Sequence, residues 1–104
     1  MNNKKGIALS VVGFKRDSQG ITIEGQCLES PIQIGDTFTS IVPNCGKDSN
    51  AAQTVNLKVD SIIINGSFEV KELEHGYGGI VHLRGNSTEL IENKSFLYGF
   101  REKL

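Results

Sequence analysis

Residues 21–42, ITIEGQCLESPIQIGDTFTSIV, constrain the fold more than any other part of this 104-residue chain. Ile21, Ile23 and Cys27 alternate with polar side chains. Because successive residues of a strand point to opposite faces, this pattern predicts a strand with one apolar face. The Gly-Asp pair at 35–36 predicts a tight turn, since glycine accepts positive φ and aspartate hydrogen-bonds to turn backbone. The stretch therefore predicts strand, turn and strand.

The same alternation recurs along the chain. The predicted strands cover residues 7–14, 21–27, 37–42, 54–64, 67–73, 80–84 and 95–100, with a short extended segment at 32–34. The side chains predicted to face inward from the other strands are Ile7, Leu9, Val11, Phe38, Val42, Val55, Leu57, Val59, Ile63, Phe68 and Val70. Asn-Gly at 65–66 favours a type I′ hairpin turn, and a single helical turn is predicted near Leu90 and Ile91. Short strands joined by turns predict an all-β fold, a small closed antiparallel β-barrel of six to seven strands.

Length and charge limit the domain count and the class of partner. A chain of this size suits one domain with one core, and we expect a single barrel over 1–104 with flexible ends at 1–5 and 101–104. A polar loop is predicted at 44–53. The chain carries 11 basic and 12 acidic residues, a net charge of −1. Proteins that hold nucleic acid through its phosphates usually show a positive excess, so this balance disfavours strong phosphate binding.

The cysteines, the N-terminal segment and the hydropathy favour a cytoplasmic protein without a cofactor. Cys27 lies on the apolar strand face and is predicted to be a core thiol. Cys45 lies in the polar loop, and a disulfide between the two stays open. No zinc-ligand or redox spacing is present, so no metal and no cofactor is predicted. Residues 1–20 contain no apolar leader, and no stretch is long enough to cross a bilayer, so no membrane partner is expected.

Four strings in order along the chain carry a resemblance to a known family: GITIEG at 20–25, IQIGDTF at 32–38, VDSI at 59–62 and GIVHLRG at 79–85. Together they resemble the second, β-barrel domain of the translational GTPases of the elongation factor Tu group. The resemblance extends over roughly residues 6–100. It implies a barrel of the translation-protein type.

In that family the barrel helps to hold the aminoacylated end of tRNA, and the resemblance carries two of the family's positions to this chain. A pocket aromatic corresponds to Phe14, and a strand arginine corresponds to Arg84. The family's acidic pair, pocket threonine, pocket asparagine and tRNA-contacting basic residue fall, in that order, on Val11 and Val12, Glu24, Gly78 and Asn93. The phosphate-binding loop G-x-x-x-x-G-K-[ST] does not occur, so no GTP binding is expected from this chain.

Two further functional residues lie in the glycine-rich turn EHGYGG at 74–79. His75 and Tyr77 are expected to be exposed there, and aromatic side chains on a loop held by a rigid scaffold are typical contact residues. With Phe14 and Arg84 they make up the predicted contact surface. Each also has a structural interpretation: Phe14 as a core residue, Arg84 as the partner of a carboxylate at the barrel rim. His82, in mid-strand, is predicted to be a packed or rim residue.

The sequence favours a binding protein over an enzyme. Cys45, His75 and Asp48 occur in no motif that would assemble a nucleophile with its base, and no catalytic residue is predicted. We predict a non-catalytic binding module that resembles an elongation-factor barrel and contacts RNA or another component of translation. The alternatives are a small inhibitor, such as an immunity protein that binds a toxin, and a structural or oligomerising domain.

Overall fold

The structure, a computed structural model, describes residues 4–42, 52–93 and 95–102. These residues form nine strands and one turn of 3-10 helix, Thr88–Leu90. The strands are β1 (Lys4–Asp17), β2 (Gly20–Cys27), β3 (Ile32–Gln33), β4 (Thr37–Val42), β5 (Gln53–Ile64), β6 (Phe68–Val70), β7 (Glu72–Leu73), β8 (Gly78–Asn86) and β9 (Phe96–Glu102). Cys45 and most of the predicted 44–53 loop lie outside the described residues, and so does the alternative of a Cys27–Cys45 disulfide.

Six of these strands close into a barrel, which confirms the predicted all-β architecture. The order around the ring is β4-β9-β1-β2-β8-β5, and β5 pairs back onto β4. All the pairings between described strands are antiparallel. β6 adds to β5 outside the ring, and β3 pairs with β7 in a separate ribbon. Closure gives each ring strand a hydrogen-bonded neighbour on both sides, so the ring has no free edge.

The interior is filled by the side chains that the alternation placed on the inward faces. Ile21, Ile23 and Cys27 are all fully buried, as predicted. The core consists of Ile7, Leu9, Val11, Ile21, Ile23, Cys27, Ile32, Phe38, Ile41, Val55, Leu57, Val59, Ile62, Leu73, Val81, Leu83, Ile91 and Leu97. Each fully buried aliphatic side chain contributes about 1.5–3 kcal/mol relative to an exposed one. Burial also raises the pKa of the Cys27 thiol above its ordinary value.

A β-bulge in β4 changes which side chain enters the core. The register with both neighbouring strands shifts between Phe38 and Ser40. Ile41 is therefore fully buried, whereas Val42 is only half-buried. The prediction that Phe38 and Val42 share the inward face is wrong for Val42, because one extra residue in a strand reverses the alternation beyond it.

A second bulge has the same effect in β5. Its register with β8 shifts between Val59 and Ser61. Ile62 is fully buried, whereas the predicted core residue Ile63 is only half-buried. The hydrophobic run III at 62–64 gave no sign of this shift, since each of its residues could equally occupy the inward position.

The hairpin that follows β5 forms as predicted, but one of its side chains faces the other way. Asn65 and Gly66 both have positive φ, 51° and 83°, which a type I′ turn requires. Phe68 was predicted to face inward and is 63% exposed. That prediction is wrong because β6 lies outside the closed ring, where there is no interior for Phe68 to enter. Val70 packs partly against the core.

The first and last strands of the ring pair with each other near both ends of the described chain. β1 begins at Lys4, which pairs with Glu102 of β9. The predicted flexible ends, 1–5 and 101–104, overlap these strands at residues 4–5 and 101–102, and residues 1–3 and 103–104 lie outside the described ranges. Arg101 closes this end of the barrel through Asp36, a buried carboxylate in the predicted Gly-Asp turn.

Candidate functional site

The structure separates the predicted contact residues into groups at opposite ends of β8. His75 and Tyr77 precede this strand, and Arg84 lies near its other end. From Tyr77 to Arg84 there are seven residues of extended chain, about 23 Å at the usual rise per residue. The four predicted residues therefore do not form one surface, and each group has to be considered by itself.

The turn that carries His75 and Tyr77 is fixed to the end of β2 by backbone hydrogen bonds. The Gly76 N–H donates to the carbonyl of Cys27 (2.8 Å), and the Cys27 N–H donates to the carbonyl of Tyr77 (3.0 Å). The Gln26 side-chain amide also donates to the Gly76 carbonyl (2.9 Å). Both His75 and Tyr77 are exposed. The turn thus presents an imidazole and a phenol to solvent from an anchored backbone.

An open groove of about 340 Å³ lies beside this turn, on the outer surface of β1, β2 and β8. It is lined by Val12, Glu24, Gly25, Gln26, Gly78 and Gly79. Val12 is the bulged residue of β1, since the register with β2 shifts between Val11 and Gly13. Its apolar side chain points outward, as the alternation after the buried Val11 requires, and it is exposed. The sequence analysis did not identify the groove, because its lining residues come from three strands that become neighbours only in the folded ring.

The glycines of the groove differ in what they do. A Cβ at Gly25 would lie 1.9 Å from the carbonyl oxygen of Ser10, so packing of the strands excludes a side chain there. A Cβ at Gly78 would lie 3.4 Å from the Gly25 carbonyl oxygen, which is ordinary contact. The fold therefore tolerates a side chain at Gly78. The absence of one leaves the floor of the groove open.

The groove brings together positions that the family resemblance had singled out separately. Val12, Glu24 and Gly78 correspond to one residue of the family's acidic pair, the pocket threonine and the pocket asparagine. All three line the same groove here. In this chain the three positions carry an apolar side chain, a carboxylate and no side chain. Three positions that are far apart in the sequence therefore border one groove in the fold.

Arg84 belongs to a cluster of charged side chains on the outer surface at the other end of β8. Its Nε lies 3.2 Å from an Asp60 carboxylate oxygen, and its Nη2 donates to Gln19 (3.3 Å). His82 lies between two carboxylates, with Nδ1 3.4 Å from Asp60 and Nε2 3.9 Å from Asp17. The structure thus shows Arg84 paired with a carboxylate at the rim and His82 as a largely covered strand residue.

Phe14 occupies a structural position at the same end of the barrel. It packs partly against the core, and the guanidinium of Arg16 lies 4.7 Å from the centre of its ring. Arg16 donates hydrogen bonds to the carbonyls of Thr88 (3.0 Å) and Ile91 (2.8 Å). Arg16, which lies over the Phe14 ring, therefore holds both ends of the 3-10 turn.

Two further observations bear on the chemistry of the described surface. No group of three His, Cys, Asp or Glu side chains within the described ranges is placed to hold a metal ion. No helix in this part of the chain is long and apolar enough to cross a membrane.

Comparison with solved structures identifies the barrel type. The chain is similar to translation elongation factor SelB from Methanococcus maripaludis in its apo form, with a TM-score of 0.68 and 17% sequence identity. The match covers 94% of this chain and 20% of that chain. No protein-family model and no curated protein matches the sequence. At this identity the similarity shows the fold, a translation-factor-like β-barrel module, and the chain spans about a fifth of the length of SelB.

Proposed function

We propose that this barrel is a non-catalytic binding module and that the groove beside Tyr77 holds a segment of a protein component of translation. The observation that carries the proposal is the open floor at Gly78, where the fold would accept a side chain and has none. The translation-factor-type fold supports the choice of partner class.

The charge of the groove favours a polypeptide over the backbone of RNA. Glu24 is the one ionisable side chain among the residues that line it, and a carboxylate repels phosphate groups. Val12 and Tyr77 offer apolar and aromatic contact area, and interface cores are enriched in aromatic side chains. A neutral or positively charged peptide segment matches this combination.

The test is affinity capture from extracts of the source cell, with proteins identified and quantified by mass spectrometry. We expect the unmodified chain to retain a translation component, and Gly78→Val to lower its recovery at least about tenfold, because the new side chain fills the groove. Ser67→Val serves as the control, since it places the same valine side chain on an exposed hairpin outside the ring.

Each other outcome counts against a defined part of the proposal. Equal recovery with Gly78→Val would remove the groove as the binding site. Recovery of a toxin-like protein, and of no translation component, would favour the inhibitor alternative.

A further inference from the structure

The outer face of β9 carries a row of aromatic side chains that the groove does not involve. Phe96 and Tyr98 are each 37% exposed and Phe100 is 55% exposed. They alternate with Leu97 and Gly99, which face the interior side of the strand. The sequence predicted a strand at 95–100 without identifying this outer row, which we call the aromatic stripe.

The residues beside the aromatic stripe on the neighbouring strands are small. The cross-strand rows, read from β1 through β9 to β4, are Gly6–Phe100–Thr37, Ala8–Tyr98–Ser40 and Ser10–Phe96–Val42. The aromatic side chains therefore project further outward than the side chains of β4. We call the projecting aromatic row the ridge and the lower surface beside it the step.

On the β1 side, the segment that follows β2 continues alongside β1 and reaches over Gly6. The Leu28 N–H donates to the carbonyl of Ala8 (3.0 Å). The Glu29 carboxylate lies over Gly6, with Oε1 3.1 Å from the position of a Cβ there. Glu29 is exposed, so an acidic group borders the aromatic stripe on this side.

A basic group borders the aromatic stripe on the other side, at the same level. Lys58 of β5 is the cross-strand partner of Thr37. It is exposed and forms no ion pair with another described residue. One row across the outer surface thus runs from Glu29, above Gly6, through Phe100 and Thr37 to Lys58.

We infer that two copies of this chain associate through the aromatic stripe, each ridge lying on the partner's β4. A ridge beside a step is self-complementary about a two-fold axis that runs parallel to the strands, between β9 and β4. Neighbouring strands are about 4.8 Å apart. An axis midway between β9 and β4 therefore places Phe100 of one copy over Thr37 of the other. The same axis places Glu29 of one copy opposite Lys58 of the other. The symmetry forms this ion pair twice.

The size of the patch sets the strength of the association. An aromatic side chain contributes about 150–250 Å² of surface, so the exposed parts of the three rings supply roughly 200–300 Å² per copy. Stable interfaces bury about 800 Å² per partner. The dimer is therefore weak and reversible, and the ion pairs fix its register more than they strengthen it.

A second copy also fits the charges better than a nucleic acid does. The aromatic stripe could stack on bases, but one Lys58 balanced by one Glu29 provides no positive field for phosphates. One acid and one base at equal distances from the axis match the same surface turned by two-fold rotation. The inference does not depend on the groove or on its partner.

The test is sedimentation equilibrium of the purified chain over about 10 µM to 1 mM, the range in which a weak complex forms. We expect the average mass to rise with concentration from that of one chain toward that of two. Tyr98→Ser should abolish this rise in average mass. Phe68→Ser removes an exposed aromatic side chain from β6, which lies outside the barrel, and should leave the rise in mass unchanged. A one-chain mass throughout, or a dimer that survives Tyr98→Ser, overturns the inference.

Charge reversal tests the register without touching the barrel interior. Lys58→Glu places two carboxylates opposite each other and should weaken the dimer at least about fivefold. Glu29→Lys combined with Lys58→Glu should restore it. A Lys58→Glu chain that dimerises normally, or a double reversal that fails to recover, contradicts this packing. Far-UV circular dichroism establishes in each case that the variant remains folded.

Discussion

Two arginine–aspartate pairs in this barrel differ mainly in their exposure to water. In the first, Arg101 donates from Nε (2.9 Å) and Nη2 (2.7 Å) to the two oxygens of Asp36, and the side chains are 20% and 5% exposed. In the second, Arg84 meets Asp60 at 3.2 Å, and the side chains are 56% and 42% exposed. Water screens the second pair, whereas the first cannot lose one partner without leaving a buried charge.

The Arg101–Asp36 pair also organises the backbone around it. The hydrogen bond to Asp36 raises the pKa of Arg101 above its ordinary value, so the guanidinium is charged at any accessible pH. Arg101 donates as well to the carbonyl of Pro31, and Asp36 accepts from the N–H of Gln33 (2.7 Å). The end of β9 is thereby tied to the turn after β3.

Arg101→Met is expected to lower the free energy of unfolding by about 3–5 kcal/mol, because it leaves the Asp36 carboxylate buried without its partner. Urea denaturation measures the change. The matched variant Arg84→Met should cost less than about 1 kcal/mol, since the Arg84–Asp60 pair is exposed. Equal losses in the two variants would show that burial does not distinguish these pairs.

At the scale of elements, β9 holds the barrel closed between β1 and β4, and a glycine sets how closely it approaches β4. A Cβ at Gly99 would lie 2.1 Å from the carbonyl oxygen of Thr37 and 2.8 Å from the Cα of Phe38. These are backbone atoms of a paired strand, which cannot move aside as a flexible side chain could. The closing contact of the ring therefore requires the absence of a side chain at this position.

Gly99→Ala is expected to destabilise the fold by about 3 kcal/mol or more, because the new methyl group pushes β9 away from β4. Thermal unfolding followed by circular dichroism measures it. Gly13→Ala is the control: there the nearest atom to a Cβ is an oxygen of the Glu24 side chain at 3.8 Å, and the change should stay within about 1 kcal/mol. A Gly99→Ala protein as stable as Gly13→Ala would mean that the strands can separate freely.

At the scale of the whole molecule, the surface has no excess of positive charge. The 12 acidic residues outnumber the 11 basic ones, and Arg84 and Arg101 are paired with carboxylates. Affinity for nucleic acid depends on released counterions, which requires several unpaired basic groups along one path. The barrel as a whole is therefore poorly suited to hold RNA through its phosphates.

Binding to tRNA is accordingly expected to be weak, to appear only at low ionic strength and to be lost near about 200 mM salt. Filter binding over a salt series measures this. A duplex DNA of similar length is the comparison, because a purely electrostatic interaction treats the two alike. Tight tRNA binding that persists at high salt would show specific recognition that these charges do not explain.

The alternation of apolar and polar residues was enough to predict the strands, the Asn65–Gly66 turn and the all-β class. These features are local, since side-chain direction and turn conformation depend on a few neighbouring residues. The same reasoning assigned Val42 and Ile63 to the interior and was wrong, because a bulge reverses the alternation without leaving a local sequence signal.

The contacts between residues of different strands were decided by the tertiary structure, because they depend on which strands are neighbours in the closed ring. Val12, Glu24 and Gly78 belong to three strands and share a groove only because β2 lies between β1 and β8. The row from Glu29 to Lys58 crosses four strands, and the order of those strands follows from pairing β4 with both β5 and β9. Contacts between residues far apart in the chain are set by ring closure, and no local pattern in the sequence encodes them.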